Sequence, residues 1–189
     1  MASAPLLWTA CERGDIESAR NALNENDVDV LYRGVTPAFL AAFNGHEDIL
    51  ELLHSHGAAM DQPFTWHING QAVGPSGSPL EIATVYGGLS DFVAHFLLWE
   101  AARRGDVREL ESALALCNDV NTQYMDMTPS CVAALRGNFM ALGLLKSAGA
   151  DLRKKCTFTH NNHTITANTL EVARDYGHLN EHFIKILAA

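Results

Sequence analysis

Residues 36–58 read TPAFLAAFNGHEDILELLHSHGA, and this stretch decides the fold. Thr36 is placed to cap a helix that begins at Pro37, because a proline there lacks only an N–H that would be unpaired anyway. Gly45 is expected to end that helix, and Gly57 to end a second one. Between the two glycines, apolar residues recur with helical spacing, which predicts one buried face. These residues are Ile49, Leu50, Leu52 and Leu53. The stretch therefore predicts a pair of helices.

The same pattern recurs along the chain. Six units that start with this pattern cover nearly all of the sequence. They begin at residues 6, 36, 78, 97, 128 and 169. The openings LLWTACERGD and LLWEAARRGD are nearly the same, and their Trp8 and Trp99 lie 91 residues apart. Gly45 and Gly137 lie 92 residues apart. The six units therefore form two sets of three, which indicates duplication of a three-unit block.

The quoted stretch resembles the ankyrin repeat, whose consensus TPLHxAAxxGH leads into IVxLLxxGA. The resemblance implies an all-α fold, an ankyrin-repeat solenoid of about six helix pairs that forms a single domain over residues 1–189. The duplication divides it into two three-repeat blocks, about 6–96 and about 97–187, each with an inserted β-hairpin. The implied function is protein–protein interaction, because stacked repeats present extended binding surfaces.

The spacing of the helix-ending glycines departs from the family pattern. Gly45 and Gly87 are 42 residues apart, and Gly137 and Gly177 are 40 apart, whereas an ankyrin repeat has about 33 residues. Each third unit is therefore preceded by an insertion. Gly87 and Gly105 are only 18 residues apart, which is too few for a helix, a loop and another helix. We therefore expect one long or bent helix between them.

The insertions, about 63–74 and about 155–167, predict the two β-hairpins. Asn69-Gly70 lies between alternating β-formers, which is a strong signal for a two-residue turn. Asn161-Asn162 is the weaker turn of the second hairpin, because asparagine tolerates positive φ. The predicted pairs are Ile68 with Gln71, His67 with Ala72 and Trp66 with Val73, and then His160 with His163, Thr159 with Thr164 and Phe158 with Ile165.

The hairpins and two shorter loops supply the predicted contacts with a partner, since aromatic residues on a rigid projection are typical binding anchors. The predicted contact residues are Phe64, Trp66, His67, Ile68, Asn69 and Gly70, then Phe158, His160, Asn161, Asn162 and His163, and in the loops Tyr32, Arg33, Tyr124 and Met125. Two alternatives remain open. The hairpin side chains could fold back onto adjacent helices, and the loops could be ordinary solvated turns. Trp8 and Trp99 are expected in the core.

Composition disfavours other functions. The formal net charge is −9 and no basic run exceeds three residues, so neither nucleic acid nor a membrane is a predicted partner. No apolar run reaches the ~18 residues of a membrane span. No GxSxG, SxxK, HExxH or phosphate-binding glycine loop occurs, so we predict no enzyme activity, catalytic residue or cofactor. His178 and His182 have chelating spacing but no third ligand, so no metal site is predicted. Cys11 and Cys131 fall at apolar helix positions and should be buried.

A closer resemblance concerns the hairpins. A short ankyrin protein with two such projections is similar to the ankyrin-type self-protection (immunity) proteins of predatory bacteria. The resemblance rests on residues 64–73 and 158–167. It implies an inhibitor, monomeric when free, whose hairpins occlude the active sites of exported serine DD-endopeptidases that cleave peptidoglycan.

The same resemblance implies a periplasmic location, and Ala2-Ser3-Ala4 fits the pattern beside a signal-peptidase site. The sequence itself shows no signal peptide, so the other expectation is a cytoplasmic location. The alternative function is that of a scaffolding adaptor or a host-directed effector that binds through the concave helical face.

Overall fold

The computed structural model describes residues 5–23, 27–68, 70–160, 163–176, 178, 181, 183 and 184. Ten helices and four strands lie within these residues. The helices are α1 (Leu6–Arg13), α2 (Ile16–Leu23), α3 (Pro37–Asn44), α4 (Glu47–Ser55), α5 (Pro79–Val85), α6 (Ser90–Arg104), α7 (Val107–Leu116), α8 (Pro129–Arg136), α9 (Phe139–Ser147) and α10 (Thr169–Asp175). The strands are β1 (Phe64–Ile68), β2 (Gln71–Gly77), β3 (Lys155–His160) and β4 (His163–Asn168).

The prediction of an all-α fold is wrong, because the described residues contain four strands as well as ten helices. β1 pairs with β2 and β3 pairs with β4, which gives two small antiparallel sheets. The same hairpins that the sequence predicts as insertions are thus long enough to change the fold class. The helices themselves fit ankyrin repeats.

The prediction of about six helix pairs is not matched either, and α6 is the reason. This helix runs for 15 residues without a break. It takes the place of the second helix of the third unit and the first helix of the fourth, because the short spacing from Gly87 to Gly105 leaves room for only one helix. The prediction of a single long helix at this junction is confirmed.

The chain divides into two compact units, Met1–Val93 and Ala94–Ala189. In the first unit, α1, α3 and α5 stack in a row, and α2 packs against α4. The apolar faces of these helices form the core, in which Leu7, Phe39 and Ile49 are fully buried. In the second unit, α8 packs against α10 and α7 against α9. The prediction of a single domain over the whole chain stays a prediction.

Side-chain caps begin the helices next to both hairpins. The hydroxyl of Thr36 accepts a hydrogen bond from the N–H of Phe39 at 3.3 Å, and Thr128 caps α8 in the same way. Ser78 and Asn168 each form a capping box, with Glu81 and Glu171 respectively. Because each box starts its helix within one residue of the end of a strand, the outgoing strand of each hairpin is joined directly to a helix.

Among the described helices, none is both long and apolar enough to cross a membrane.

Candidate functional site

The first hairpin, formed by β1 and β2, begins at its tip with the predicted register. Ile68 pairs with Gln71 and His67 pairs with Ala72, as predicted. The register then shifts, so that Thr65 pairs with Ser76. Trp66 consequently lies opposite three residues, 73–75, and the predicted pair of Trp66 with Val73 is wrong. The extra residues of β2 form a bulge, which the alternation of residues does not reveal.

The first strand of this hairpin, β1, rests on the first loop, the tight turn Tyr32–Val35. The N–H of His67 donates to the carbonyl of Arg33 at 2.7 Å. Gly34 has a φ of 82°, and a Cβ at this position would lie 2.5 Å from the carbonyl oxygen of Thr65 and 2.6 Å from Nδ1 of His67. The turn therefore requires glycine for its conformation and for the close approach of the hairpin.

Aromatic rings fix the same hairpin to the helices. The ring of Trp66 meets Trp8 edge-to-face at 6.4 Å and Phe43 at 5.8 Å. Trp8, which is 3% exposed, also meets the ring of Tyr32 at 5.1 Å. The guanidinium of Arg33 lies 5.2 Å from the centre of the Tyr32 ring. Edge-to-face pairs of this kind add to the free energy of area burial, so β1 is held in place.

The tip of the first hairpin is exposed. Ile68 is 41% exposed and Val73 is 54% exposed, and Gly70 between them is also exposed. Two aliphatic side chains thus face solvent on a hairpin whose first strand is packed against the rest of the unit. An isolated exposed apolar residue is ordinary, but such residues on a fixed projection are available to a partner.

The second hairpin, formed by β3 and β4, has the predicted register throughout. His160 pairs with His163, Thr159 with Thr164 and Phe158 with Ile165, and the pairing continues without a bulge to Lys155 and Asn168. One face of the hairpin is inward, because Cys156, Phe158 and Ala167 are 1%, 5% and 4% exposed. The strict alternation explains why sequence reasoning fixed this register completely.

The outer face of the second hairpin consists of hydroxyl groups. Thr157, Thr159, Thr164 and Thr166 are all exposed, and the hydroxyls of Thr157 and Thr166 lie 2.9 Å apart. The first hairpin has the same kind of pair, because Thr65 and Ser76 are joined at 2.8 Å. Cross-strand hydroxyl pairs stabilise the hairpin and leave its surface polar.

A buried cluster of thiols and hydroxyls lies beneath the base of the second hairpin. Ser130 Oγ is 3.1 Å from Thr128 Oγ1 and 3.0 Å from Thr169 Oγ1. Thr128 Oγ1 accepts from the N–H of Cys131 at 3.2 Å, and the N–H of Thr128 donates to Sγ of Cys156 at 3.3 Å. All five side chains are 1% exposed or less. The cluster joins α8, β3 and the start of α10.

The pKa values of the two thiols in this cluster are shifted in opposite directions. A hydrogen bond from the Cys131 thiol, aided by the N–H of Thr128, holds the pKa of Cys156 below its usual value. The same thiol–thiol bond, with burial, raises the pKa of Cys131. Burial alone raises the pKa of Cys11 to about 12. The prediction that Cys11 and Cys131 are buried is confirmed.

The second loop, Tyr124–Met127, has the same tight turn as the first but is built from larger residues. Met125 and Asp126 adopt φ values of 50° and 60°, which non-glycine residues rarely do. Tyr124 is 1% exposed, because Phe96 and Trp99 approach its ring at 5.5 and 5.4 Å. The prediction that Trp8 and Trp99 belong to the core is confirmed.

The predicted contact residues fall into four groups. Arg33, Ile68, Gly70 and His163 are exposed, whereas Tyr32, Phe64, Trp66, His67 and Met125 are half-buried. Tyr124 and Phe158 are buried and support the second loop and hairpin from within. Asn69, Asn161, Asn162 and the side chain of His160 lie outside the described residues. The structure brings Tyr32, Arg33, Trp66 and His67 together. Sequence reasoning missed Val73 as a contact candidate because it assigned that residue only a pairing role.

The part of the chain that the structure describes holds no group of three or more His, Cys, Asp or Glu side chains placed to bind a metal ion.

These features define a helical-repeat protein with two anchored hairpins, and comparison with known families agrees with the repeats. Residues 33–63 match the family model Ankyrin repeat, which supports the ankyrin-repeat family for this chain. Ankyrin repeats bind other proteins and are generally non-enzymatic, so the match suggests a protein–protein interaction module with a protein partner. No curated protein matches the chain at a significant level.

Proposed function

We propose that the chain is a protein inhibitor that inserts the tips of its two hairpins into the active-site cleft of a partner enzyme and acts by binding rather than catalysis. The observation that carries this proposal is the contrast within the first hairpin. Trp66 and the backbone of His67 are fixed to the rest of the unit, while Ile68 and Val73 project with 41% and 54% of their surface exposed. A projection that is already ordered loses little entropy when it enters a cleft.

The two hairpins offer a partner different chemistry. The first presents aliphatic side chains at its tip, and the second presents exposed threonine hydroxyls and His163. Enzyme clefts combine apolar walls with a few placed polar groups. The aliphatic side chains of the first hairpin could therefore pack on the walls, and the polar side chains of the second could bind the polar groups. The net charge of −9 favours a partner with a basic surface around its cleft.

The resemblance to immunity proteins selects the first enzyme class to test, the serine DD-endopeptidases that cleave peptidoglycan. This choice places the working protein in the periplasm as a monomer that meets its partner there. Cell fractionation checks the location, since recovery in the cytoplasm alone would contradict this part of the proposal.

The test is inhibition of a purified serine DD-endopeptidase acting on cross-linked peptidoglycan fragments. The double variant Ile68→Ser, Val73→Ser should raise the inhibition constant at least about tenfold, which corresponds to about 1.4 kcal/mol. The matched control is Leu116→Ser, which removes a side chain with 63% exposure from α7 instead of from a hairpin. This control should change inhibition less than about twofold. Circular dichroism establishes that each variant is folded.

Two outcomes contradict the proposal at different levels. Failure of the folded wild-type protein to inhibit any enzyme of this class rejects the inhibitor role but leaves a protein-binding module. Inhibition that Leu116→Ser weakens as much as the tip variant does would reject the hairpins as the contact.

An adaptor or effector that binds through its helices is the second candidate, and a different surface supports it. Val85 and Tyr86 at the end of α5 are 70% and 54% exposed, and the ring of Tyr86 lies 5.6 Å from that of Phe43. Tyr86→Ser should therefore weaken binding by an adaptor of this kind while the tip variant does not. If the chain is an inhibitor that binds through its hairpins, the tip variant should weaken binding and Tyr86→Ser should not.

A further inference from the structure

The contact between two cysteine thiols beneath the second hairpin has no part in the proposed inhibition. Cys131 lies in α8 and Cys156 in β3, and both are 1% exposed or less. Sγ of Cys131 lies 3.5 Å from Oγ1 of Thr169, within the same buried cluster. Thr128 contacts both residues, since its Oγ1 accepts from the N–H of Cys131 at 3.2 Å and lies 3.7 Å from Sγ of Cys156. Two thiols from separate elements are therefore held side by side.

We propose that Cys131 and Cys156 form a redox pair, which closes to a disulfide when a small disulfide such as oxidised glutathione is present and thereby locks the base of the second hairpin to α8. The proposal concerns a modification site and is independent of the inhibitor function. Contact between the side chains is the first requirement for a disulfide, because cysteines whose Cβ vectors diverge cannot be bridged without backbone movement.

Cys156 is the thiol that reacts first. Its sulfur accepts the N–H of Thr128 at 3.3 Å and faces Nε2 of Gln123 at 3.7 Å, in addition to the thiol of Cys131. Three donors around one sulfur stabilise its thiolate, which is the nucleophile in disulfide exchange. The lowered pKa of Cys156 agrees with this role.

Gln123 is the route by which a reagent reaches the buried sulfur. Its side chain is exposed, and its amide nitrogen lies 3.4 Å from the carbonyl of Lys155 as well as 3.7 Å from Sγ of Cys156. Gln123 lies outside α8, so its side chain can move without unfolding that helix. The Gln123 hydrogen bond is the smallest of the interactions that lower the pKa of Cys156, so the better access gained by removing this amide should outweigh the loss of that bond and speed the reaction.

The reaction balances as two successive exchanges. The Cys156 thiolate attacks one sulfur of oxidised glutathione, the glutathione disulfide bond breaks, and one glutathione thiolate leaves. The thiolate of Cys131, having lost its proton to solvent, then attacks Sγ of Cys156 and expels the second glutathione thiolate. Two protein thiols are oxidised by two electrons, and one glutathione disulfide is reduced to two thiols.

The other cysteines and the first unit provide internal comparisons. Cys11 is buried in the first unit. Of the three thiols in the second unit, Cys117 is the most accessible. The positions 92 residues before Cys131 and Cys156 hold Phe39 and Phe64, so the first hairpin has no thiol pair to oxidise.

The experiment uses the folded full chain with Cys117→Ser, which removes the accessible thiol. The protein is incubated with oxidised glutathione at pH 8, and the remaining thiols are alkylated for intact mass and peptide mapping. We expect two thiols to be lost together, a peptide linked from residue 131 to residue 156, and a rise in the midpoint of thermal unfolding of about 5 °C or more.

Two variants make the result decisive. In Cys131→Ser, Cys156 should stop at the mixed disulfide with glutathione, and Gln123→Ala should accelerate closure several-fold without changing the product. The proposal is overturned if residues 131 and 156 both stay alkylatable under conditions that modify Cys117 in the wild-type protein. It is equally overturned if the cross-link maps to another pair of cysteines.

Discussion

The two hairpins occupy equivalent places in the two units, yet they are fixed by different interactions. In the first, Trp66 packs edge-to-face on Trp8 and Phe43, and the strand donates a backbone hydrogen bond to the loop below. In the second, the base sits on buried thiol and hydroxyl groups around Thr128 and Cys156. The element to be held is the same, and the interactions that hold it have diverged.

The divergence can be assigned to two positions. Phe39 and Phe64 in the first unit correspond to Cys131 and Cys156 in the second. The large rings bury more apolar area, whereas the thiols make directional hydrogen bonds, each worth about 1 kcal/mol. The comparison teaches that the repeat sets where a hairpin emerges, while a few side chains below it decide how it is fixed.

The close approach of the first hairpin to its loop should give the largest difference between the units. We expect Gly34→Ala to lower the free energy of unfolding by about 3 kcal/mol, because the new Cβ meets the backbone of Thr65 at an unfavourable φ. Asp126→Ala, at the corresponding place in the second loop, should change it by less than about 1 kcal/mol, since a Cβ is already present there. Urea unfolding measures both, and equal effects would remove this distinction between the units.

The helix caps provide the next comparison. Thr36→Val removes one hydrogen bond, to the N–H of Phe39, and should cost about 1 kcal/mol. Thr128→Val removes the equivalent bond together with contacts to Ser130 and Cys156, and should cost about 2 kcal/mol. Thermal or urea unfolding of both variants measures the two losses of unfolding free energy. A cost for Thr36→Val as large as that for Thr128→Val would show that the buried cluster adds nothing.

The ionisation of Cys156 should make the stability of the second unit sensitive to pH between 7 and 9. Its folded pKa is lowered from the usual 9.0, so below pH 9 the unfolded chain holds a proton that the folded protein has released. The contribution of Cys156 to the free energy of unfolding is therefore complete above pH 9, and it is lost as the pH falls towards the lowered pKa. Between pH 7 and pH 8 we expect a rise in the free energy of unfolding of about 1 kcal/mol. Cys156→Ser should abolish that rise, and an unchanged slope in this variant would contradict the assignment.

The smallest effect concerns the two loops themselves. Asp126→Gly, which copies Gly34 of the first loop, should stabilise the protein by about 0.5 kcal/mol, because glycine relieves the left-handed conformation at some cost in chain entropy. Arg33→Gly should bring no such gain, because it also removes the guanidinium from the Tyr32 ring. Differential scanning calorimetry resolves shifts of this size, and destabilisation by Asp126→Gly would refute the expected strain.

Local signals predicted the features that depend on a few consecutive residues. The caps Thr36 and Thr128, the long helix at the 18-residue junction and the whole register of the second hairpin are read from residue type and spacing. The fold class was wrong because counting helical repeats gave no weight to strands as long as β2 and β3. The number of helix pairs was wrong because the repeat count did not allow two units to share one helix.

Features that depend on distant contacts could not be predicted in this way. The bulge opposite Trp66 follows from the packing of that ring on Trp8 and Phe43, which alternation along the strand does not encode. Likewise, Tyr124 is buried beside Phe96 and Trp99, whereas the corresponding Tyr32 is half-buried. Burial of a loop residue is decided by its neighbours in space, and the thiol cluster was missed for the same reason.

The bulge in the first hairpin also bears on self-association. The irregular stretch of β2 ends in Pro75, which has no N–H to offer a neighbouring chain. β4 of the second hairpin pairs without interruption and contains no proline. Unpaired regular edges are templates for intermolecular sheets, so we expect any oligomers that form in concentrated solution to grow from β4, with β2 protected.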